Sequence, residues 1–148
     1  MKKYLITAIT ILFVPVFLHA QADKIKGTWV TEKGTSSVEI AKTSDGTYAG
    51  KVNWLDEPNE DGKPKVDTEN DDPVLAKRPI MGLPLLSGFN YDPKKDRWID
   101  GSIYDPDNGK TYDCYAWFED GNYDVLYIKG YVAGIKALGR KTVWKAKK

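Results

Sequence analysis

Histidine and cysteine are almost missing from this chain, which has one of each in 148 residues. The histidine, His19, lies in an apolar N-terminal stretch, and the cysteine is Cys114. If that stretch is cleaved off, no imidazole remains for a Ser–His or Cys–His pair or for a zinc site. A single thiol cannot form an intramolecular disulfide, so the core must supply the stability. We therefore expect one domain that holds neither a metal nor a cofactor.

An excess of charge of either sign is also lacking. The chain carries 22 Lys or Arg against 21 Asp or Glu, a formal net charge of +1. Removal of Lys2 and Lys3 with the N-terminal stretch changes this net charge to −1. Nucleic-acid-binding domains carry a marked basic excess, so nucleic acid is not an expected partner.

The N-terminus has the pattern of a secretory signal peptide. Lys2 and Lys3 precede an apolar run at residues 4–18, which is too short for a comfortable membrane span. Ala20-Gln21-Ala22 follows the A-x-A rule, with cleavage after Ala20 or after Ala22. We predict a signal peptide at 1–20, a single domain at 21–148, and a periplasmic or secreted protein without a membrane span. An uncleaved N-terminal anchor is the alternative.

The rest of the chain reads as short strands separated by turns. In residues 111–118 and 125–129 the residues alternate with a period of two, and Asp- and Gly-rich turns occupy 105–109 and 119–122. Similar patterns predict the other strands, which gives strands at 27–31, 37–43, 47–55, 88–91, 97–104, 111–118, 125–129 and 136–144. About eight strands joined in sequence, with little helix, favour a single antiparallel up-and-down barrel. An open antiparallel sandwich is the alternative.

Residues 56–72 interrupt this pattern. The segment has eight acidic side chains and no apolar period, which predicts a long surface loop of the kind that often carries function. Glu57, Asn59, Asp61 and Gly62 match the start of an EF-hand, but Thr68 stands where a bidentate Glu is needed. A solvated acidic loop is therefore favoured over a calcium site.

Residues 73–86 are apolar but contain three prolines, which exclude a long helix. We expect one turn of helix and an extended plug that either caps an end of the barrel or covers an outer face of the sheet. Arg78 lies in this segment, either as the ion-pair partner of the acidic loop or as an anion-binding group.

Two terminal features resemble lipocalin-type barrels. Gly27-x-Trp29 opens the first strand, and Arg140 lies on the last strand. The resemblance implies that the Arg140 guanidinium covers the Trp29 indole and ties the two ends of the chain together.

A longer series of motifs resembles the bacterial exported family known as domain of unknown function 2147. The matching residues are Gly27-x-Trp29, Gly50-x-x-x-Trp54, Asp67, Asp72-Pro73, Arg78-Pro79, Gly82, Gly88-Phe89, Trp98, Gly101-x-Ile103-Tyr104-Asp105-Pro106, Gly109-Lys110-x-Tyr112, Gly130-Tyr131, Leu138-Gly139-Arg140 and Trp144. The resemblance implies a small exported single-domain protein and supplies no catalytic residue. One departure is Asn70-Asp71-Asp72-Pro73, where the family pattern has an Asn-Pro-containing stretch.

Aromatic side chains are the candidates for ligand contact. Rings provide large contact areas at little entropic cost, and an eight-stranded barrel either holds one small ligand or is filled by its own side chains. Alternation places Trp98, Ser102 and Tyr104 on one face of their strand. With Arg78, the candidate ligand-binding residues are Trp54, Trp98, Tyr104, Tyr112 and Tyr131, and the alternative is that the aromatic residues are core.

We expect a non-catalytic barrel that binds a small, partly apolar or aromatic-stacking molecule. A second hypothesis is an interaction module or homodimer that uses an exposed patch of Tyr115, Trp117 and Tyr127. A third is a hydrolase whose carboxylates come from Asp100, Asp113 and Asp124. Cys114 shares a face with apolar neighbours, so we interpret it as buried and inert.

Overall fold

The computed structural model describes residues 20–148, so the predicted signal peptide lies outside the described residues except for Ala20. The strands are β1 (Gly27–Val30), β2 (Ser36–Lys42), β3 (Tyr48–Leu55), β4 (Asn59–Glu60), β5 (Lys63–Pro64), β6 (Pro84–Asp92), β7 (Arg97–Asp105), β8 (Lys110–Trp117), β9 (Val125–Tyr131) and β10 (Arg140–Ala146). Three 3₁₀ turns span Asp23–Ile25, Leu75–Lys77 and Lys136–Leu138.

Eight of these strands close into a barrel in the order β1-β10-β9-β8-β7-β6-β3-β2, and every pair is antiparallel. The seam joins β1 to β10, with Trp29 opposite Ala146 and Val30 opposite Lys145. Closure leaves no exposed edge in this sheet. The predicted up-and-down barrel is confirmed, and the open sandwich is excluded.

Three elements differ from the sequence-based expectations. The acidic segment contains the hairpin β4–β5, because Asp61 and Gly62 both adopt the positive φ that a two-residue turn requires. Strand β6 begins at Pro84, so it includes the end of the predicted plug. Strand β10 begins at Arg140 and not at 136, because Lys136–Leu138 form a 3₁₀ turn.

The lumen is filled by the chain's own side chains. Most of the buried residues form one cluster, whose members include Phe89, Trp98, Cys114, Leu126, Ile128 and Trp144. Packing at Gly101 is so close that a Cβ there would lie 2.5 Å from the Phe89 ring. Large side chains packed this closely occupy the interior of an eight-stranded barrel. Of the five candidate aromatic residues, Trp98 is the one that belongs to this core.

The floor of the barrel is closed by the segment before β1. Ile25 is fully buried, and its carbonyl oxygen accepts a hydrogen bond from Trp29 Nε1 at 2.9 Å. Trp98 Nε1 donates to the carbonyl oxygen of Ala22 at 3.0 Å, and the Tyr48 hydroxyl donates to Asp23 at 2.7 Å. These bonds satisfy the polar atoms of large buried side chains, as burial requires.

The predicted contact between Trp29 and Arg140 is wrong. Trp29 lies opposite Ala146, whereas Arg140 lies opposite Gly130, six residues away along β10, or about 20 Å. The Trp29 ring instead packs on Phe118, with ring centroids 5.7 Å apart.

Within residues 20–148 there is no helix whose length and apolar character would let it cross a bilayer.

Candidate functional site

A cleft of about 390 Å³ lies on the outside of the barrel, between its wall and the long connection from β5 to β6. The wall contributes residues of β6, β7 and β8, and the connection contributes Asn70, Leu75 and Arg78. The complete lining is Asn70, Leu75, Arg78, Pro84, Leu85, Leu86, Ser87, Ser102, Tyr104, Gly109 and Thr111. This volume is within the range of small-molecule sites, roughly 300–1,000 Å³.

Alternation along β7 explains why Ser102 and Tyr104 face this cleft. Gly101 faces the Phe89 ring in the core, and Ile103 packs against the core, so the residues between and after them face outward. A β-bulge at Asp100, with φ of 59°, separates these residues from Trp98. Trp98 therefore faces inward, and the expectation that it shares a face with Tyr104 is wrong.

A buried carboxylate holds the connection in place. Asp67 is fully buried and accepts from Tyr104 Oη at 2.7 and 2.8 Å and from Asn70 Nδ2 at 3.0 Å. Arg78 donates to it from Nε at 3.0 Å, and Nη2 lies 2.9 Å from the same oxygen. Charge-assisted bonds of this kind compensate for burial of the carboxylate. The predicted ion pair between Arg78 and the acidic segment is confirmed.

Backbone contacts bring Arg78 to this carboxylate. Asp67 N–H donates to the Arg78 carbonyl oxygen at 3.0 Å, next to an isolated bridge between Val66 and Pro79. The 3₁₀ turn before Arg78 is capped by Asp72, whose Oδ1 accepts from the N–H groups of Val74 and Leu75. The predicted turn of helix is thus present, and the segment lies along an outer face of the barrel.

Gly109 allows the connection to approach the β7–β8 turn. Its φ is +70°, and a Cβ at this position would lie 1.9 Å from the Glu69 carbonyl oxygen. Only glycine permits both the backbone conformation and this approach. The predicted turn glycine therefore also fixes one side of the cleft.

The cleft combines a cation, an amide and several hydroxyl groups. The Arg78 guanidinium carbon lies 5.1 Å from the centroid of the Tyr104 ring, and its side chain keeps 30% exposure. Burial raises the pKa of Tyr104, and its hydrogen bond to Asp67 raises it further, so Tyr104 stays protonated at neutral pH. Ser87 and Ser102 face each other with their hydroxyl oxygens 2.7 Å apart. The site can thus donate several hydrogen bonds to a ligand beside the apolar Leu75.

A second concavity of about 560 Å³ lies beside the β4–β5 hairpin. It is lined by Glu60, Asp61, Lys63, Pro64, Lys65, Val66 and Pro79. Its polar residues are surface charges on a two-stranded hairpin, without the buried network that supports the first cleft.

The structure brings two of the predicted ligand-binding residues together and separates the other four. Arg78 and Tyr104 line the cleft, whereas Trp98 is fully buried. Trp54 is 36% exposed elsewhere on the surface, with Lys147 Nζ 4.9 Å from its ring centroid. Tyr112 accepts a bond from Asn108, and Tyr131 packs against Tyr115. These four residues do not line the cleft.

Sequence reasoning missed Asn70, Ser87, Ser102 and Thr111 as lining residues. Asp67 belongs to the motif series and Asn70 begins the stretch that departs from it, but nothing local to either residue indicates that both meet Tyr104. Ser102 could have been found from the sequence, because it lies two residues before Tyr104 on a predicted strand and therefore on the same face.

None of the carboxylates of the hydrolase hypothesis lines either of the two concavities. Asp100, Asp113 and Asp124 are all exposed. Asp113 lies opposite Tyr131, whereas Asp124 adjoins the far end of β9 and pairs with Lys148. Cys114 is fully buried, and burial raises the pKa of its thiol, which agrees with the inert interpretation.

No group of three or more His, Cys, Asp or Glu side chains suitable for a metal ion occurs in the part of the chain that the structure describes. The EF-hand-like positions Asn59, Asp61 and Gly62 instead belong to the β4–β5 hairpin and its turn.

Comparisons with known proteins agree with this architecture. A family model described as "Uncharacterized protein conserved in bacteria (DUF2147)" matches residues 27–146. No curated protein matches the chain. Among solved structures, the chain is similar to protein HP1028 from the human pathogen Helicobacter pylori, which is described as belonging to the lipocalin family. The TM-score is 0.67, with 22% identity over 83% of this chain and 82% of that chain. Since the family match extends from the first residue of β1 to the last residue of β10, this chain belongs to the DUF2147 family and has a lipocalin-like barrel.

Proposed function

We propose that this protein is an exported, non-catalytic binding protein for a small ligand, and that the ligand occupies the cleft outside the barrel. The observation that carries the proposal is the convergence of Arg78, Tyr104, Asn70 and the two facing serines on one cleft of about 390 Å³. A filled lumen leaves this outer cleft as the better site, although the barrel itself is of the type that binds small ligands. Export rests on the N-terminal pattern of residues 1–20.

The lining favours a small molecule with a carboxylate or carbonyl group and an apolar part. Arg78 presents a planar donor group that suits carboxylates, and its exposed fraction faces the cleft. Ser87, Ser102 and Thr111 add hydroxyl groups on the wall, and Leu75 adds apolar surface. Pockets of this composition fix the orientation of a ligand with a few polar groups.

The same contacts favour binding over catalysis. The Asp67 carboxylate, which is the buried acid nearest the cleft, already accepts bonds from Tyr104, Asn70 and Arg78. A general base needs a free lone pair directed at the substrate. The network is therefore suited to holding the connection rigid.

Native mass spectrometry of the protein purified from its own host tests the proposal. We expect a bound mass in the wild type that is lost in Ser102→Trp, because an indole on the outer wall would fill the cleft. Glu39→Trp is the matched control, since Glu39 is exposed on β2, three strands away from β7 around the barrel. Retention of the same bound mass by Ser102→Trp would exclude this cleft as the site.

Benzoate and benzamide serve as probes of the polar end of the ligand. In two-dimensional amide NMR, benzoate should shift the signals of Ser87, Ser102 and Thr111, and the neutral benzamide should shift them less because it lacks the charge that Arg78 pairs with. Shifts confined to residues outside the cleft would contradict the proposal.

A further inference from the structure

We infer that the β9–β10 end of the barrel docks onto the surface of an anionic lipid bilayer. The inference is independent of the outer-wall cleft. It concerns residues 132–139, which we call the rim loop, and the row of Tyr115, Trp117, Tyr127 and Tyr131, which we call the aromatic wall. The wall lies on β8 and β9, and the loop follows it directly in the chain.

The rim loop exposes large apolar side chains. Val132 is 51% exposed, Ile135 49% and Leu138 75%. Ala133 and Gly134 both adopt positive φ, of 51° and 72°, so the backbone turns sharply and holds the three side chains at the surface. Apolar residues grouped at the tip of a loop expose surface that a partner would cover.

The charged residues in the rim loop and next to it along the chain are basic. From Val125 to the C-terminus the sequence contains no Asp or Glu, whereas Lys129, Lys136, Arg140 and Lys141 flank or occupy the loop. Carboxylates approach the aromatic wall from neighbouring elements. Asp113 lies opposite Tyr131, Asp100 lies close enough to act on the Tyr131 hydroxyl, and Glu119 accepts a bond from Trp117 Nε1. Glu32 accepts a bond from Thr142 on β10. All of these carboxylates lie outside the rim loop, whose one charged residue is Lys136. Apolar side chains among basic residues are the combination that binds anionic lipid surfaces.

The aromatic wall continues this surface along the barrel. Tyr115 and Trp117 stack with ring centroids 5.3 Å apart, and Trp117 and Tyr127 stack at 5.5 Å. Lys136 of the loop lies over the rings of Tyr115 and Tyr131, at 5.6 and 5.7 Å from their centroids. Tyr and Trp prefer the interface between water and lipid, where part of each ring is buried and part remains hydrated.

A lipid surface explains the arrangement better than a second copy of the chain. Two copies meeting through this face would bring the basic residues of one rim loop against those of the other, which is unfavourable. An anionic headgroup layer complements these charges, and the acyl region accepts Val132, Ile135 and Leu138. The geometry therefore points to peripheral docking by the rim loop, with Tyr115 and Tyr131, the part of the wall that Lys136 covers, nearest the headgroups.

Vesicle flotation tests the inference with the full chain. We expect binding to vesicles of phosphatidylcholine mixed with phosphatidylglycerol, and not to phosphatidylcholine alone. Neutralising Lys136 and Arg140 with glutamine should weaken binding by about fivefold per charge. Leu138→Ser should weaken it by about tenfold. Val74→Ser is the matched control, because Val74 is 76% exposed on a different surface, and it should bind as the wild type does.

Three results would overturn the inference. The first is equal binding to both vesicle types or to neither. The second is a Leu138→Ser variant that floats like the wild type while soluble polyphosphate binds the protein as tightly, which would indicate a polyanion site. The third is a dimer in sedimentation velocity that Leu138→Ser dissociates, which would assign the loop to a second copy. Urea midpoints of all variants establish that the substitutions at these exposed positions leave the fold intact.

Discussion

Replacing Arg78 with methionine tests the network that supports the outer-wall cleft. The substitution removes the guanidinium and keeps an unbranched side chain of similar width. Asp67 would remain buried, with its Tyr104 and Asn70 donors but without the cation that compensates its charge. We expect a less stable protein and a connection that detaches from the barrel wall.

The expected loss of stability follows from how deeply each partner of the ion pair is buried. Breaking a fully buried pair by removing one partner costs about 3–5 kcal/mol. Asp67 is completely buried, but the Arg78 side chain is 30% exposed, so water can approach the vacated position. We therefore expect a loss in the free energy of unfolding of about 2–3 kcal/mol, below the fully buried case. For a domain of this size the melting temperature falls by about 10 °C.

Urea unfolding followed by tryptophan fluorescence measures this loss. Lys77→Met is the matched control, because Lys77 is exposed on the preceding residue and the substitution is the same. Asp67→Asn completes a double-mutant cycle, in which the coupling with Arg78→Met should exceed about 1 kcal/mol. Hydrogen exchange should accelerate first at the amides of residues 66–80.

Two results would refute this reasoning. A loss below about 0.5 kcal/mol for Arg78→Met would place the pair among exposed ion pairs of small energetic value. Additive effects in the double-mutant cycle would indicate that the two side chains do not stabilise the fold through each other.

Three further predictions concern pH dependence, packing and thiol reactivity. Burial and the Asp67 hydrogen bond raise the pKa of Tyr104, so its stabilising contribution is complete below about pH 10 and is lost as the pH rises through the pKa of the folded state. The urea midpoint should therefore fall in alkali by less in Tyr104→Phe than in the wild type. Equal pH dependence of the two midpoints would contradict this. Gly101→Ala should cost about 1–3 kcal/mol in urea unfolding because its Cβ would meet the Phe89 ring, and Phe89→Leu should recover part of that cost if the clash is the cause. Cys114 should react with a thiol reagent only at the rate of unfolding, and rapid labelling of the native protein would show that the thiol is accessible.

The barrel could be predicted from the sequence because its signals are local. Alternation and the Asp- and Gly-rich turns at 105–109 and 119–122 locate each strand independently of the others. The turn glycines at Gly109 and Gly121 have the positive φ that these turns require. Counting such segments was sufficient to give eight strands and their order.

Register and bulges could not be predicted in the same way. The resemblance to lipocalin-type barrels implied a contact between Trp29 and Arg140, but strand pairing places Trp29 beside the last residue of β10, whereas Arg140 is its first. Trp98 and Tyr104 have the spacing of a shared face, yet the extra residue at Asp100 turns Trp98 inward. One inserted residue reverses every side chain beyond it, and no local feature of the sequence marks where this occurs.

Parts of the candidate site could not be predicted because contacts between segments that are distant in the sequence bring their residues together. Arg78 was singled out by its isolation in an apolar stretch, and its pairing with the acidic loop was one of two interpretations. Asp67 is one of several acidic residues in its segment, and only the path of the connection across β7 identifies it as the buried member. Hydrogen-bond networks of this kind are set by tertiary structure and leave no periodic pattern in the sequence.

The occupied interior of the barrel has a consequence for how such a protein can diversify. In a hollow barrel, a change of ligand needs substitutions among the residues that also hold the strands together, so gains in recognition come at the expense of folding. Here the groups that could recognise a molecule lie on the far side of the wall from the packed centre. New specificities can therefore arise by exchanging outward-facing residues of β6, β7 and β8, while the inward-facing half of each strand stays as it is.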